Sequence, residues 1–118
     1  MVRAKPLIAI VDDEESVRVA LGRLCKAYGM DARTFVSVQQ LFESLDSERP
    51  DCLVLDAQSW LREHGISIPA VMITGRDDDE IRSRSQSVGA SACLCKPVDA
   101  EVLLGAIRDA ISSRTESD

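Results

Sequence analysis

The sequence predicts an α/β domain built on a doubly wound, parallel sheet of five strands. Short apolar runs alternate along the chain with segments of helical periodicity, and this alternation is typical of parallel strands joined by crossover helices. Residues 52–55 are four apolar residues in succession, as expected of a strand that is buried on both faces. We expect the flavodoxin-like strand order 2-1-3-4-5, which makes the first and third strands neighbours.

The first third of the chain predicts two strands joined by a helix. Residues 7–11 are apolar and form the first strand. The helix that follows opens on Glu14 and Glu15, whose negative charges suit the positive end of a helix dipole. Gly29 ends the helix, and residues 31–35 form the second strand.

A capping box marks the start of the second helix. Ser37 and Gln40 have the spacing in which each side chain bonds the other residue's backbone N–H group. This helix runs to about residue 45, and the third strand, residues 52–55, ends on Asp56.

The next crossover is unusually short. Residues 57–69 number 13, which barely meets the dozen or so that a parallel connection needs. We therefore expect a truncated third helix. Residues 70–73 form the fourth strand and end on Thr74.

The last third of the chain predicts a strand between two helices. A polar helix over residues 77–88 precedes the fifth strand, residues 92–95, which ends on Lys96 and Pro97. Asp99 caps the final helix. Its predicted apolar stripe is Val102, Leu103, Ala106, Ile107, Ala110 and Ile111. We assign residues 1–112 to one domain and residues 113–118 to a polar tail or the start of a linker.

Composition excludes several classes of function. The chain has 118 residues and a formal net charge of −6, which argues against direct binding to nucleic acid or to an anionic membrane. No apolar run reaches the roughly 18 residues of a membrane span. The chain has four cysteines, Cys25, Cys52, Cys93 and Cys95. The last three fall in predicted strands, so we expect buried thiols in a reducing, cytoplasmic compartment.

Polar residues follow the strands at one edge of the predicted sheet. Asp12, Asp13 and Asp56 come at the carboxyl ends of the first and third strands, and Thr74 and Lys96 at those of the fourth and fifth. Crowded carboxylates keep their charge only beside a cation, and oxygen ligands with few protein donors suit Mg²⁺. Each residue alone has an ordinary structural explanation, such as a helix cap or a solvated charge. Five together favour a site in which an aspartate accepts a phosphoryl group.

These stretches resemble the receiver domain of two-component response regulators, most closely the FixJ type that precedes a DNA-binding domain. The resemblance is carried by residues 6–14, 49–56, 73–75 and 89–97. It implies that Asp56 is the acceptor of phosphate from a histidine kinase and that Asp12, Asp13, Asp56 and the backbone carbonyl of Gln58 hold Mg²⁺. It also implies phosphoryl contacts from Thr74 and Lys96, and a cis peptide bond before Pro97.

The implied partners are the kinase and a DNA-binding output domain outside this chain, with a homodimer left open. The domain itself would not be an enzyme.

The sequence departs from the family pattern at two places. The crossover after Asp56 is short, and Cys93 occupies the switch position, where the family has an aromatic residue. These departures keep a second hypothesis open, a receiver-like interaction domain that no longer switches by phosphorylation. A phosphohydrolase of similar topology is disfavoured because Gln58 stands where such an enzyme needs a general acid.

Overall fold

A computed structural model of the chain describes residues 5–45, 47–56, 68–75, 92–95 and 98–116. Within these ranges five parallel strands form one sheet. The strands are β1 (Leu7–Val11), β2 (Asp31–Phe35), β3 (Cys52–Asp56), β4 (Ala70–Thr74) and β5 (Ala92–Cys95). The helices are α1 (Glu15–Ala27), α2 (Val38–Ser44) and α3 (Ala100–Glu116).

The sheet order is β2-β1-β3-β4-β5, which confirms the predicted doubly wound topology. The predicted truncation of a helix in the 57–69 crossover lies outside the described residues, as does the polar helix predicted over 77–88.

Two hydrophobic cores cover the two faces of the sheet. Alternate residues along β1 and β3 divide between them, because successive strand side chains point to opposite faces. Ile8 and Ile10 pack with α1 and α3 in one core, and Ala9 and Val11 pack with α2 in the other. Every residue of β1 is buried, which explains the unbroken apolar run in its sequence.

The helix boundaries follow local signals. The Ser37 hydroxyl accepts a hydrogen bond from the Gln40 N–H group at 3.3 Å, and the Gln40 side chain accepts one from the Val36 N–H group at 3.0 Å. This is the predicted capping arrangement, displaced by one residue on the return bond. Gly29, beyond the end of α1, has a φ of 82°, a conformation that L side chains rarely adopt.

The final helix has the predicted cap and differs from its prediction in its buried stripe. Asp99 caps it as predicted, accepting hydrogen bonds from the Glu101 and Val102 N–H groups at 2.9 and 3.2 Å. The buried stripe, however, includes Leu104, whereas Val102 is 54% exposed. Leu104 is buried in place of Val102 because Leu103, Leu104 and Ile107, at positions i, i+1 and i+4, share one face of the helix. The helix ends at Glu116.

A side chain joins the beginnings of β1 and β3. The Asp51 carboxylate accepts a hydrogen bond from the Leu7 N–H group at 2.8 Å, and the Asp51 N–H group donates to the Leu7 carbonyl at 2.8 Å. Leu7 is buried, so its N–H group would find no water if the carboxylate were removed.

We expect Asp51→Ala to lower the free energy of unfolding by about 1–3 kcal/mol, the cost of leaving a buried donor unsatisfied. Urea denaturation followed by circular dichroism measures the change. Asp51→Asn is the matched control, because its amide oxygen still accepts the bond, and it should lose clearly less. Equal losses in the two variants would contradict this role for the carboxylate.

Candidate functional site

The carboxyl end of β1 places three acidic side chains together. Asp12, Asp13 and Glu14 each offer a carboxylate oxygen, and these oxygens lie within 4.8 Å of one another. Asp12 is 2% exposed, while Asp13 and Glu14 are exposed. Among the described residues this is the one cluster of metal-binding side chains with three or more members.

Hydrogen bonds hold Asp12 at the start of the turn into α1. Its Oδ1 atom accepts from the Glu14 N–H group at 2.9 Å, and its backbone N–H group donates to the Phe35 carbonyl at 3.2 Å. The Arg18 guanidinium donates to the Asp12 carbonyl at 2.7 Å. The bond from the Asp12 N–H group to the Phe35 carbonyl extends the β1–β2 pairing by one residue. Arg18 links the first turn of α1 to the same point. These contacts give the buried carboxylate a fixed position at the sheet edge.

Strand pairing brings Asp56 to the same edge of the sheet. Val11 is in register with Leu55, so Asp12 and Asp56 are the next residues along two neighbouring strands. Asp56 is the last residue of β3, in register with Ile73 of β4. Strands pair about 4.8 Å apart, so the backbones of Asp12 and Asp56 are close neighbours.

Thr74 ends β4 and is 4% exposed, one of two buried polar or charged side chains among the described residues. It follows Ile73, the register partner of Asp56, and is itself paired with Cys95. Cys93, the predicted switch position, lies within β5 and packs against the core on the α2 face. Gln58, Lys96 and Pro97 lie outside the described residues.

Glu14 belongs to this cluster, although the sequence predicts only its place in the first turn of the helix. Its carboxylate lies with those of Asp12 and Asp13. The Asp-Asp-Glu run directly after a buried strand was the available signal. A third acid in the turn adds negative potential that favours a cation at this edge.

Two thiols with raised pKa values lie away from this edge. Burial raises the pKa of the Cys25 thiol to about 11. Burial raises that of Cys52 to about 12, with smaller raising contributions from Cys25 and Asp51 and an opposing one from its hydrogen bond to the Leu53 carbonyl. Cys52 begins β3 and Asp56 ends it, so the two thiols belong to the core rather than to the acidic edge.

The fold and the acidic edge agree with what comparison with known proteins finds. The family model of the response regulator receiver domain matches residues 8–108. This chain belongs to that family. The receiver domains are generally not enzymes, and they generally bind Mg²⁺ at an acidic pocket.

Several regulators are similar in sequence to this receiver domain. Response regulator protein TodT of Pseudomonas putida is 31% identical over 115 residues, which cover 89% of this chain and 51% of that protein. Nodulation protein W of Bradyrhizobium diazoefficiens is 31% identical over 124 residues, covering 97% and 53%. The chain thus spans about half the length of these relatives.

Solved structures show the same fold. A response regulator receiver protein from Burkholderia phymatum superposes with a TM-score of 0.81 at 31% identity, covering 92% of this chain and 96% of that one. A CheY-like receiver domain from Methanospirillum hungatei gives a TM-score of 0.85 at 18% identity, covering 98% and 100%, and this likeness concerns the fold alone.

None of the helices that the structure describes is long and apolar enough to cross a membrane.

Proposed function

We propose that this receiver domain accepts a phosphoryl group on Asp56 from a histidine kinase and relays that state to an output domain. The observation that carries the proposal is the pairing of β1 with β3, because it sets the buried Asp12 beside the strand end that Asp56 occupies. Membership of the receiver family supports it. Several relatives are named as regulators, among them the transcriptional regulatory protein TdiR of Thauera aromatica, so we propose a transcriptional output.

The reaction is a phosphoryl transfer between two protein side chains. An oxygen of the Asp56 carboxylate attacks phosphorus, a P–O bond forms, and the P–N bond of the kinase phosphohistidine breaks, returning the electron pair to the imidazole. Such transfers are accelerated mainly by positioning and by stabilising charge on the phosphoryl oxygens. Thr74 and Lys96 are the residues we propose to contact those oxygens.

The acidic edge fits a hard divalent cation. We propose that Asp12, Asp13, Asp56 and the backbone carbonyl of Gln58 hold Mg²⁺, with Glu14 adding to the negative potential around it. A cation site needs ligand oxygens close together, and carboxylate oxygens of Asp12 and Asp13 lie within 4.8 Å of one another. Bound Mg²⁺ supplies positive charge that neutralises the acids and the incoming phosphoryl group.

Mg²⁺ is expected to raise the thermal stability of the protein through this site. A ligand at 100 times its Kd adds about 2.7 kcal/mol to the free energy of unfolding, which corresponds to several degrees in Tm. Asp13→Ala should remove most of that rise, because it deletes one ligand from the cluster.

Thermal denaturation with and without MgCl₂, followed by circular dichroism, measures both effects. Asp31→Ala is the control, since it removes an exposed carboxylate at the start of β2 and should keep the full Mg²⁺ response. If Asp13→Ala keeps the same rise as the unmodified protein, Asp13 is not a ligand.

Intact mass spectrometry after incubation with a small phosphodonor tests the function itself. Acetyl phosphate with Mg²⁺ should add the mass of one phosphoryl group, and the adduct should disappear at alkaline pH or with hydroxylamine, as an acyl phosphate does. Chelation of Mg²⁺ should suppress its formation. A chain that gains no phosphoryl group under conditions that label another receiver domain would overturn the proposal.

Cys93 favours one alternative, a receiver-like domain that binds partners without a phosphoryl switch. Its small side chain packs on the α2 face of the sheet at the position where the sequence resemblance expects an aromatic ring. Hydrogen exchange with and without beryllofluoride separates the two functions. Changed protection along residues 74–95 supports switching, whereas identical exchange in a protein that binds Mg²⁺ supports the static domain.

The remaining proposals concern the setting of the domain. We propose a cytoplasmic protein whose partners are a histidine kinase and a DNA-binding output domain. Residues 1–112 would form the receiver, and residues 113–118 a polar tail or the start of a linker. A homodimer is part of this proposal, and sedimentation of the phosphorylated and unphosphorylated protein tests it. The chain itself is proposed to bind no nucleic acid, in keeping with its net charge of −6.

A further inference from the structure

The edge strand β5 presents two thiols on one face. Cys93 packs against the core on the α2 face, while its neighbours Ala92 and Leu94 pack against the opposite core. Because strand side chains alternate, Cys95 lies on the same face as Cys93. Both side chains are partly exposed, and neither is in a disulfide. The strand therefore carries a dithiol near the acidic edge of the sheet.

The other two cysteines differ sharply in access. Cys25 and Cys52 are fully buried in the core on the α1 and α3 face. Burial raises the pKa of Cys25 to about 11 and that of Cys52 to about 12. Thiol chemistry requires both access and the thiolate form. Reagents in solution should thus reach the pair on β5 in preference to the pair in the core.

The geometry of the pair selects the kind of bridge it can form. Residues i and i+2 of a strand have Cα atoms about 6.6 Å apart, at the upper limit for a disulfide, and their parallel side chains do not converge as a disulfide requires. A single atom inserted between the two sulfurs lengthens the bridge by one bond and removes that strain. The pair is consequently better suited to a bridging atom than to oxidation.

We propose that Cys93 and Cys95 form a binding site for a soft trivalent metalloid, of the class of monosubstituted arsenic(III) compounds. Such a compound needs two thiols to complete its coordination, whereas zinc in a structural site needs four ligands. In the part of the chain that the structure describes, neither thiol belongs to a cluster of three or more metal-binding side chains. The number of thiols on the strand thus matches the metalloid.

The binding step is a condensation without redox change. With phenylarsine oxide, two As–S bonds form, the arsenic–oxygen bond breaks, and the oxygen leaves as water with the two thiol protons. Arsenic remains trivalent throughout.

This site adjoins Thr74. Cys95 is the register partner of Thr74 and Cys93 that of Met72, and paired strands are about 4.8 Å apart. A metalloid held by both thiols would crowd the buried Thr74 hydroxyl. The next step rests on the proposed function, in which Thr74 contacts the phosphoryl group. If Thr74 has that role, the bound metalloid slows phosphorylation of Asp56.

Binding is tested on the reduced full chain with phenylarsine oxide and intact mass spectrometry. The unmodified protein should gain one bridging phenylarsenic group that a dithiol, 2,3-dimercaptopropanol, removes and an equal concentration of a monothiol does not. Cys93→Ser and Cys95→Ser should each bind at least about 100-fold more weakly, because the second bond is then lost. Cys25→Ala, the matched control, should bind as the unmodified protein does.

Two results would overturn the site. Unchanged binding by Cys93→Ser, or removal of the adduct by the monothiol as readily as by the dithiol, would mean that the two thiols do not act together. The second comparison uses only the unmodified protein and does not depend on how a variant folds.

A separate arm tests the coupling to phosphorylation. The initial rate of labelling by acetyl phosphate should fall severalfold when the site is filled, and the Cys93→Ser/Cys95→Ser double variant should show no such fall. Bridged metalloid with an unchanged labelling rate would overturn the coupling. A protein that is not labelled in either state would overturn the proposed function, while the binding arm still decides the site.

Discussion

Asp56→Asn is expected to abolish phosphorylation of the receiver domain. The asparagine amide has the shape of the carboxylate but carries no charge and is a very poor nucleophile, so the P–O bond cannot form. Incubation with acetyl phosphate and Mg²⁺ should leave the mass of the variant unchanged while the unmodified protein gains one phosphoryl group. The expected effect is a loss to below detection, the largest of any substitution considered for this chain.

The matched control is Asp109→Asn, which makes the same chemical change at an exposed position on α3. It should be phosphorylated to the same extent as the unmodified protein. Folding of Asp56→Asn is checked by its thermal denaturation without Mg²⁺. We expect no loss of stability there, because the substitution removes one of several like charges at the edge. A variant that is folded and still labelled would place the acceptor on another carboxylate, with Asp12 and Asp13 as the candidates.

Strong local signals account for the parts of the fold that the sequence predicts. Buried parallel strands need unbroken apolar runs, and the run over residues 7–11 forms β1 with the predicted bounds. The pair Ser37 and Gln40 marks the start of α2 because its two side chains accept hydrogen bonds from backbone N–H groups that lack a partner at a helix start. This pattern of bonds requires the local conformation of a helix start. Strand order then follows from the handedness of parallel crossovers, which leaves few topologies.

Errors arose where several positions compete for one face. Val102 and Leu104 are both apolar and lie on opposite flanks of Leu103, and only packing against the sheet decides which flank is buried.

The position of the acidic edge was predictable from the sequence, but the burial of its individual side chains was not. Parallel pairing of β1 with β3 follows from the topology, and it places Asp12 and Asp56 on neighbouring strand ends. The burial of Asp12 and the exposure of Asp13, two adjacent residues of the same type, depend on the path of the turn. That path is set by hydrogen bonds from Glu14 and Arg18, and a pattern of residue types does not reveal such bonds.

The stability of the protein is expected to fall steeply with pH above about 9 because of its two buried thiols. A thiol is neutral when protonated, and its ordinary pKa is 9.0. In the folded chain burial raises the pKa of Cys25 to about 11 and that of Cys52 to about 12. Between pH 9 and the raised pKa of each thiol, the unfolded chain has released that thiol's proton and the folded chain has kept it.

The direction of the effect follows from proton linkage. The unfolded state binds fewer protons than the folded state above pH 9, so the free energy of unfolding decreases as pH rises. Each thiol contributes a slope of about 1 kcal/mol per pH unit, which is absent below pH 9 and ends near pH 11 for Cys25 and near pH 12 for Cys52. Below pH 9 both thiols are mostly protonated in the folded and unfolded states, so they make the free energy of unfolding depend little on pH there.

Urea denaturation at pH 8, 9, 10 and 11 measures this slope in the unmodified protein and in Cys25→Ala, Cys52→Ala and the double variant. Other groups titrate in the same range, so the informative quantity is the difference in slope between proteins. The double variant should be less steep by about 2 kcal/mol per pH unit between pH 9 and 11. Because the two thiols influence each other, the single variants need not add.

Val54→Ala is the control for the loss of packing that accompanies a cysteine-to-alanine change. Val54 lies on the same core face as Cys52, is 1% exposed and does not titrate. Its truncation leaves a small cavity, so it should lower the free energy of unfolding by a similar amount at every pH and leave the slope unchanged. Equal slopes in the unmodified protein and the double cysteine variant would show that the buried thiols are not what couples this fold to alkaline pH.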